Sequence, residues 1–192
     1  IIGPDGAYHH GMWDMPLLGI VPGIRVEAPR VAARFRQLLH EAVDDGRGPT
    51  AVRFPKASVD DDIAAIDRLG EMDVLRRDEA SDVLIVAVGP QAALALDVAD
   101  RIAAQGVGAT VVDARWVLPV DVALPALAAA HEQVVVIEDG VVAGGVGVAI
   151  ARELRVRGIE VPVRQVALPQ EFIPHGERRP VLAQCGLSAQ EI

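Results

Sequence analysis

Short β-branched runs alternate with longer alanine-rich stretches along the second half of the chain. Residues 83–88 (VLIVAV) predict a buried strand. Residues 91–105 (QAALALDVADRIAAQ) repeat apolar positions at three- and four-residue spacing and stop at Gly106, which predicts a helix closed by a glycine C-cap. Residues 109–113 predict a second strand, residues 121–131 a helix with Asp121 as N-cap, and residues 134–138 a third strand. A glycine-rich turn at residues 140–147 then opens a helix over 148–157, and residues 161–166 give a last strand. Strands apolar on both faces and separated by helices imply a mainly parallel sheet covered on both sides, a doubly wound α/β unit.

Residues 1–56 carry the same kind of pattern in incomplete form. Residues 25–28 predict a strand, Pro29 opens a helix where its missing N–H costs nothing, residues 31–43 continue it, and residues 50–54 predict another strand. One helix and two strands do not close a core, so this piece calls for upstream sequence or another subunit. Between the two lie residues 57–81, with 3 basic and 8 acidic groups and few large apolar side chains. That composition predicts an acidic linker, giving a division into 1–56, 57–81 and 82–192.

Composition narrows the functional classes. With 51% hydrophobic and 23% charged residues the chain is globular, and no apolar run approaches the roughly 18 residues of a membrane helix. A net charge of −9 would repel nucleic acid and anionic membrane surfaces. The single cysteine, Cys185, cannot form an internal disulfide, so the expected compartment is reducing, the cytoplasm. The opening residues IIGPDGAYHHGMWD read as the middle of a folded domain, and the chain is expected to begin inside a larger protein.

Three segments offer chemistry. In GPDGAYHHGMWD, Pro4 and two glycines make a tight turn that gathers Asp5, Tyr8, His9, His10 and Asp14, and a histidine beside a carboxylate suits proton transfer near neutral pH. A polar turn with solvated histidines is the structural alternative, and a metal site lacks a further ligand. In TAVRFPKAS, Lys56 is the one lysine beside 17 arginines and follows a predicted strand, a place for a phosphate or carboxylate or simply for a surface lysine. In EDGVVAGGVG, residues 138–147, glycines could present backbone N–H groups to an anion, although close helix packing accounts for them more economically than a dinucleotide motif whose third glycine would fall at Ile150. Cys185 has no basic neighbour to activate it and reads as an inert thiol.

GPDGAYHHGMWDMPLLGIVPGIRVEAPR, GPTAVRFPK, VDARWVLPV, VIEDGVVAGGVG and LPQEFIPHG follow one another in the order and spacing of the C-terminal part of the 1-deoxy-D-xylulose-5-phosphate synthase family, within the wider transketolase-like superfamily. The chain resembles that family over nearly its whole length. The resemblance implies the end of a pyrimidine-binding α/β domain in residues 1–56 and a complete, mostly parallel transketolase C-terminal domain in residues 82–192. It also implies a homodimeric transferase, dependent on thiamine diphosphate and magnesium, that condenses pyruvate with glyceraldehyde 3-phosphate with loss of carbon dioxide, for isoprenoid, thiamine and pyridoxal supply.

Carried over by motif, Asp5 and His9 match the family's Asp-Gly-x-[Ser/Thr]-His, with His9 the catalytic imidazole and Asp5 a substrate-binding carboxylate, and Lys56 falls where a basic residue binds the aldehyde's phosphate. Tyr8 stands where Ser or Thr is usual and Ala57 where glycine is usual. The family's Gly-Asp-Gly metal motif and its activating glutamate belong to upstream segments, so the cofactor site is expected to be incomplete in this chain. Two alternatives share the pattern: the beta subunit of a 2-oxoacid dehydrogenase, and a catalytically silent truncated paralogue acting as an interaction module.

Overall fold

A computed structural model describes residues 5–58 and 61–192. Pro4 of the expected turn, together with residues 59 and 60 of the expected linker, lies outside the described residues. Strands β1 (Arg25–Glu27), β2 (Thr50–Val52) and β7 (Trp116–Leu118) form one small sheet in the order β2-β1-β7. A second sheet of six strands runs β3-β4-β6-β5-β8-β9, with β3 (Asp67–Leu69), β4 (Met72–Arg77), β5 (Val83–Ala87), β6 (Ala109–Asp113), β8 (Gln133–Val141) and β9 (Val163–Leu168).

In the large sheet β6, β5, β8 and β9 are mutually parallel, and period-two side chains divide their residues between two cores. Ile85, Ala87, Val111, Val135 and Ile137 face α3 (Ala92–Ala103) and α6 (Arg178–Gln184). Leu84, Val86, Val112, Val134 and Val136 face α4 (Leu124–Ala128) and α5 (Val146–Val156), and on this side the core also takes in Met15, Val26 and Ala28 from the first unit. The doubly covered parallel sheet expected from the apolar runs is present. Helix α1 (Asp14–Leu18) and helix α2 (Ala32–Asp44) complete the elements of the first unit.

Residues 67–77 overturn the expectation of a linker over 57–81. They form the β3–β4 hairpin, turned at Gly70 with φ +62°, and β4 pairs antiparallel with β6 at the edge of the large sheet. Met72, Asp73, Val74 and Leu75 are all buried. A register shift between Val74 and Arg76 breaks the two-residue period, and a buried carboxylate stands where an apolar residue would have signalled a strand. Two of the acidic residues are structural: Asp73 accepts from Arg30 at 2.6 Å, and Asp78 accepts the Ala109 N–H at 3.0 Å.

The helix expected over 121–131 is shortened to α4. Asp121 turns its carboxylate to the N–H groups of Ala123 (2.7 Å) and Glu71 (2.6 Å), and so ties the hairpin turn to the start of the helix. Strand β7, not anticipated, leaves the second unit and pairs antiparallel with β1, placing Val26 opposite Leu118 and Glu27 opposite Trp116. Across this seam Arg30 reaches from the first unit to within 2.6 Å of both Asp73 and Asp113, while it also donates to the Ile63 carbonyl. No described helix is long and apolar enough to cross a membrane.

Candidate functional site

Residues 5–14 fold as an open loop between two glycines in the left-handed region, Gly6 (φ +97°) and Gly11 (φ +63°), enclosing a single 3-10 turn, Ala7–His9. The turn contains no buried residue, so its position is set from outside. Asp14 begins α1, accepts the Met15 N–H, and takes Arg53 Nε at 2.6 Å. Met12 lends its carbonyl to the Val141 N–H of β8 at 2.9 Å.

Two of the sequence candidates meet directly. Lys56 Nζ donates to the Asp5 carboxylate, linking the strand-end segment to the loop across 51 positions of sequence. That hydrogen bond, helped by the charges of Lys56 and His9, holds the Asp5 carboxyl below its ordinary range. Both side chains are open to solvent, and His9 is exposed in the 3-10 turn. His10 goes the other way: it is buried, and its Nε2 donates to the carbonyls of Ile173 (3.0 Å) and Pro174 (3.3 Å). The two adjacent histidines thus separate into one available imidazole and one that fastens the loop.

Beneath the loop lies an ion cluster that sequence reasoning missed. Arg53, three positions before Lys56, bridges Asp14 and Asp139, each at 2.6 Å, and Arg178 at the start of α6 donates to the other oxygen of Asp139. Burial pushes the Asp139 carboxyl up, but the Arg53 and Arg178 guanidinium groups outweigh it and hold it well below the usual carboxylate range. Arg53 and Asp139 lie 86 positions apart, and a sequence does not display their meeting.

The glycine-rich turn is occupied by the protein's own anion. Glu138, almost wholly buried, accepts the N–H groups of Val146 and Gly147 at 2.9 Å each, which seats a carboxylate at the N-terminus of α5. A Cβ on Gly145 would meet both Glu138 oxygens at 2.7 Å, and one on Gly147 would meet Gln165 at 2.7 Å. These glycines serve close packing, as expected.

A groove of about 940 Å³ opens between the two units, walled by Phe35, Phe54, Leu94 and Leu182, with Lys56 on its lining. Among the described residues no three of His, Cys, Asp and Glu come together to hold a metal ion. What this chain brings together here is a cation paired with a carboxylate, and on the same loop an exposed imidazole.

Known proteins resemble this chain over its whole length. The transketolase C-terminal domain family matches residues 70–192, and the transketolase pyrimidine-binding domain family matches residues 1–61. The 1-deoxy-D-xylulose-5-phosphate synthase of Mycolicibacterium vanbaalenii is 54% identical over 195 residues, covering 100% of this chain and 31% of that protein. That of Clavibacter sepedonicus is 52% identical over 193 residues, with 100% and 30% covered. A solved structure described as a split gene transketolase, inactive beta4 tetramer, superposes with a TM-score of 0.85 and 31% identity over 97% of this chain and 61% of that one. The transketolase of Campylobacter jejuni shares the fold at a TM-score of 0.74, with 15% identity over 99% of this chain and 28% of that one. The chain spans about 30% of the length of the curated relatives it matches. Two domain families matched in order, together with a fold that superposes on a solved transketolase, establish that this chain belongs to the transketolase family of thiamine-diphosphate-dependent enzymes.

Proposed function

We propose that this chain forms the acceptor-binding and C-terminal part of a 1-deoxy-D-xylulose-5-phosphate synthase, an enzyme that joins pyruvate to glyceraldehyde 3-phosphate with loss of carbon dioxide. The observation that carries the reading is the Lys56–Asp5 pair beside an exposed His9, in a chain 54% identical over its full length to such a synthase. Lys56 offers an ammonium with three donors to the phosphate of the aldehyde. A phosphate taking the place of Asp5 on Lys56 releases that carboxylate to accept a substrate hydroxyl. His9, on the same loop, donates to the substrate oxygens and moves protons there.

Thiamine diphosphate, when bound, supplies the stabilised carbanion chemistry for the decarboxylation. The cofactor's seat is assigned to the portion of the longer relatives that this chain does not span. Residues 1–56 are taken as the end of the pyrimidine-binding domain, with the C-terminal domain entered at the β3–β4 hairpin. Several apolar side chains of the first unit, Leu17, Ile20 and Val21, are exposed, which favours a homodimer in which a second copy or the upstream portion covers them. A lone cysteine favours the cytoplasm.

The test is steady-state carboligation by the polypeptide that joins these residues to the family's upstream portion, with glyceraldehyde 3-phosphate and with glyceraldehyde. The expected result is release of carbon dioxide and formation of the five-carbon phosphate, with a clear preference for the phosphorylated acceptor. Acyl transfer to a lipoyl group in place of aldehyde addition would overturn the reading in favour of a 2-oxoacid dehydrogenase subunit. The 192 residues alone are expected to be inactive.

A further inference from the structure

We infer that Phe172, in the C-terminal unit, is a positioning residue that holds the turn carrying His9; the inference rests on the proposed transferase function. Phe172 lies in the irregular segment between β9 and α6. Its ring stands 5.6 Å from that of Tyr8, tilted at 60°, and 5.9 Å from that of Trp13, edge-on at 82°. The next two residues, Ile173 and Pro174, accept the hydrogen bonds of His10. One short segment therefore grips positions 8, 10 and 13 of the loop and passes over position 9, whose imidazole stays exposed.

The loop needs such a grip. Its 3-10 turn buries nothing and is flanked by glycines at φ +97° and +63°, residues that relax most readily when a restraint is lost. On one side the Lys56–Asp5 pair anchors it, and beyond the turn Arg53 holds Asp14. Between those anchors, Tyr8 and His9 have the Phe172 ring and the His10 bonds. Tyr8 is 82% and Phe172 67% exposed, so apolar burial is a small part of what their contact does. Two large rings kept in water yet in tilted contact fix an orientation, which for Tyr8 is the orientation of the residue bonded to His9. Tyr8 stands where the family uses a small hydroxyl residue, and Phe172 supplies the partner that makes the larger ring a restraint.

Three measurements on Phe172→Ala and Phe172→Tyr test this. In the 192-residue chain, Phe172→Ala should move the His9 imidazole resonance, assigned through His9→Gln, and change the near-ultraviolet circular dichroism of Trp13, with buried Trp116 as a constant background. In the polypeptide with the upstream portion, the same change should lower kcat roughly three- to tenfold, the effect of one aromatic pair, and leave KM for both substrates within about twofold. Phe172→Tyr, which keeps the ring, should restore all three. A His9 resonance that stays in place, or a loss of kcat that the tyrosine does not rescue, overturns the positioning role. Absence of carboligation in the unsubstituted polypeptide removes the transferase reading, and the His9 resonance then decides the positioning role by itself.

Discussion

Arg53 donates from Nη1 to the Asp139 carboxylate at 2.6 Å, which joins the end of β2 in the first unit to β8 in the second. Arg178 holds the same carboxylate from α6, and Arg53 continues to Asp14. Asp139→Asn should destabilise the chain by about 3–5 kcal/mol, because it leaves a largely buried guanidinium short of one of its two counter-charges. Because Asp139 titrates well below the usual carboxylate value, its contribution is complete above the ordinary carboxylate range and is lost only as pH falls through its lowered value. Urea denaturation at pH 7 measures the difference, and a loss under about 1 kcal/mol would show the bridge to be dispensable.

Glu27 gives the opposite pH dependence. It is fully buried at the β1–β7 seam with neither carboxylate oxygen hydrogen-bonded, and burial, then the charge of Glu41 on α2, raise its pKa from 4.5 to about 7 against the opposing pull of Arg25. The folded state therefore holds this proton more tightly than the unfolded chain does. Its favourable contribution is complete below about pH 4.5 and disappears as pH rises through 7. Glu27→Gln should match the unsubstituted chain at pH 5 and exceed it at pH 8 by up to about 3 kcal/mol. Thermal melting across that interval tests it, and parallel Tm profiles for the two proteins would refute it.

At the N-terminus of α5, Glu138→Ala removes the carboxylate from two buried N–H groups. Loss of a cap of this kind costs about 1–2 kcal/mol. Gly145→Ala should reach a similar result by another route, since its Cβ would press on the carboxylate oxygens at 2.7 Å. If the second substitution displaces the carboxylate, the two costs will not add, and a double variant in equilibrium denaturation will show it.

For Lys56, the proposed function sets a substrate-dependent outcome. In the polypeptide with its upstream portion, Lys56→Ala should raise KM for glyceraldehyde 3-phosphate by roughly tenfold or more, the weight of a hydrogen bond to a charged group, and leave KM for pyruvate unchanged. With unphosphorylated glyceraldehyde the penalty should vanish. An equal penalty on both acceptors would make Lys56 a structural partner of Asp5.

The parallel sheet was legible because β5, β6 and β8 are apolar on both faces, a pattern that a half-solvated strand or a surface loop does not produce. The β3–β4 hairpin was hidden by Asp73 and Asp78, whose partners Arg30 and the Ala109 N–H lie 43 and 31 positions away. Helix α6, in turn, has seven residues and a proline, too short for periodicity to register. In the candidate site, Asp5, His9 and Lys56 are proposed from motif and spacing, and the Lys56–Asp5 contact is the part that the fold adds. Their support, Arg53 with Asp139 and Phe172 with Tyr8, depends on a fold that brings residue 8 to residue 172, and no local pattern carries that information.

Strand β7 is donated by the second unit to the sheet of the first, with Ala28 N–H bonded to the Arg115 carbonyl beside the pairing. A polypeptide beginning at residue 82 would keep β7 but lose β1, presenting an unpaired edge, and would also lose the β3–β4 hairpin from the large sheet. Residues 1–58 alone would lose the third strand of their sheet. Neither half is a removable module, and the chain is expected to melt in one cooperative step. Recombination of this segment between relatives should then succeed when the seam residues, Val26 to Arg30 with Asp113 to Leu118, travel together, and fail at crossovers placed between them, even within the acidic stretch whose composition resembles a boundary.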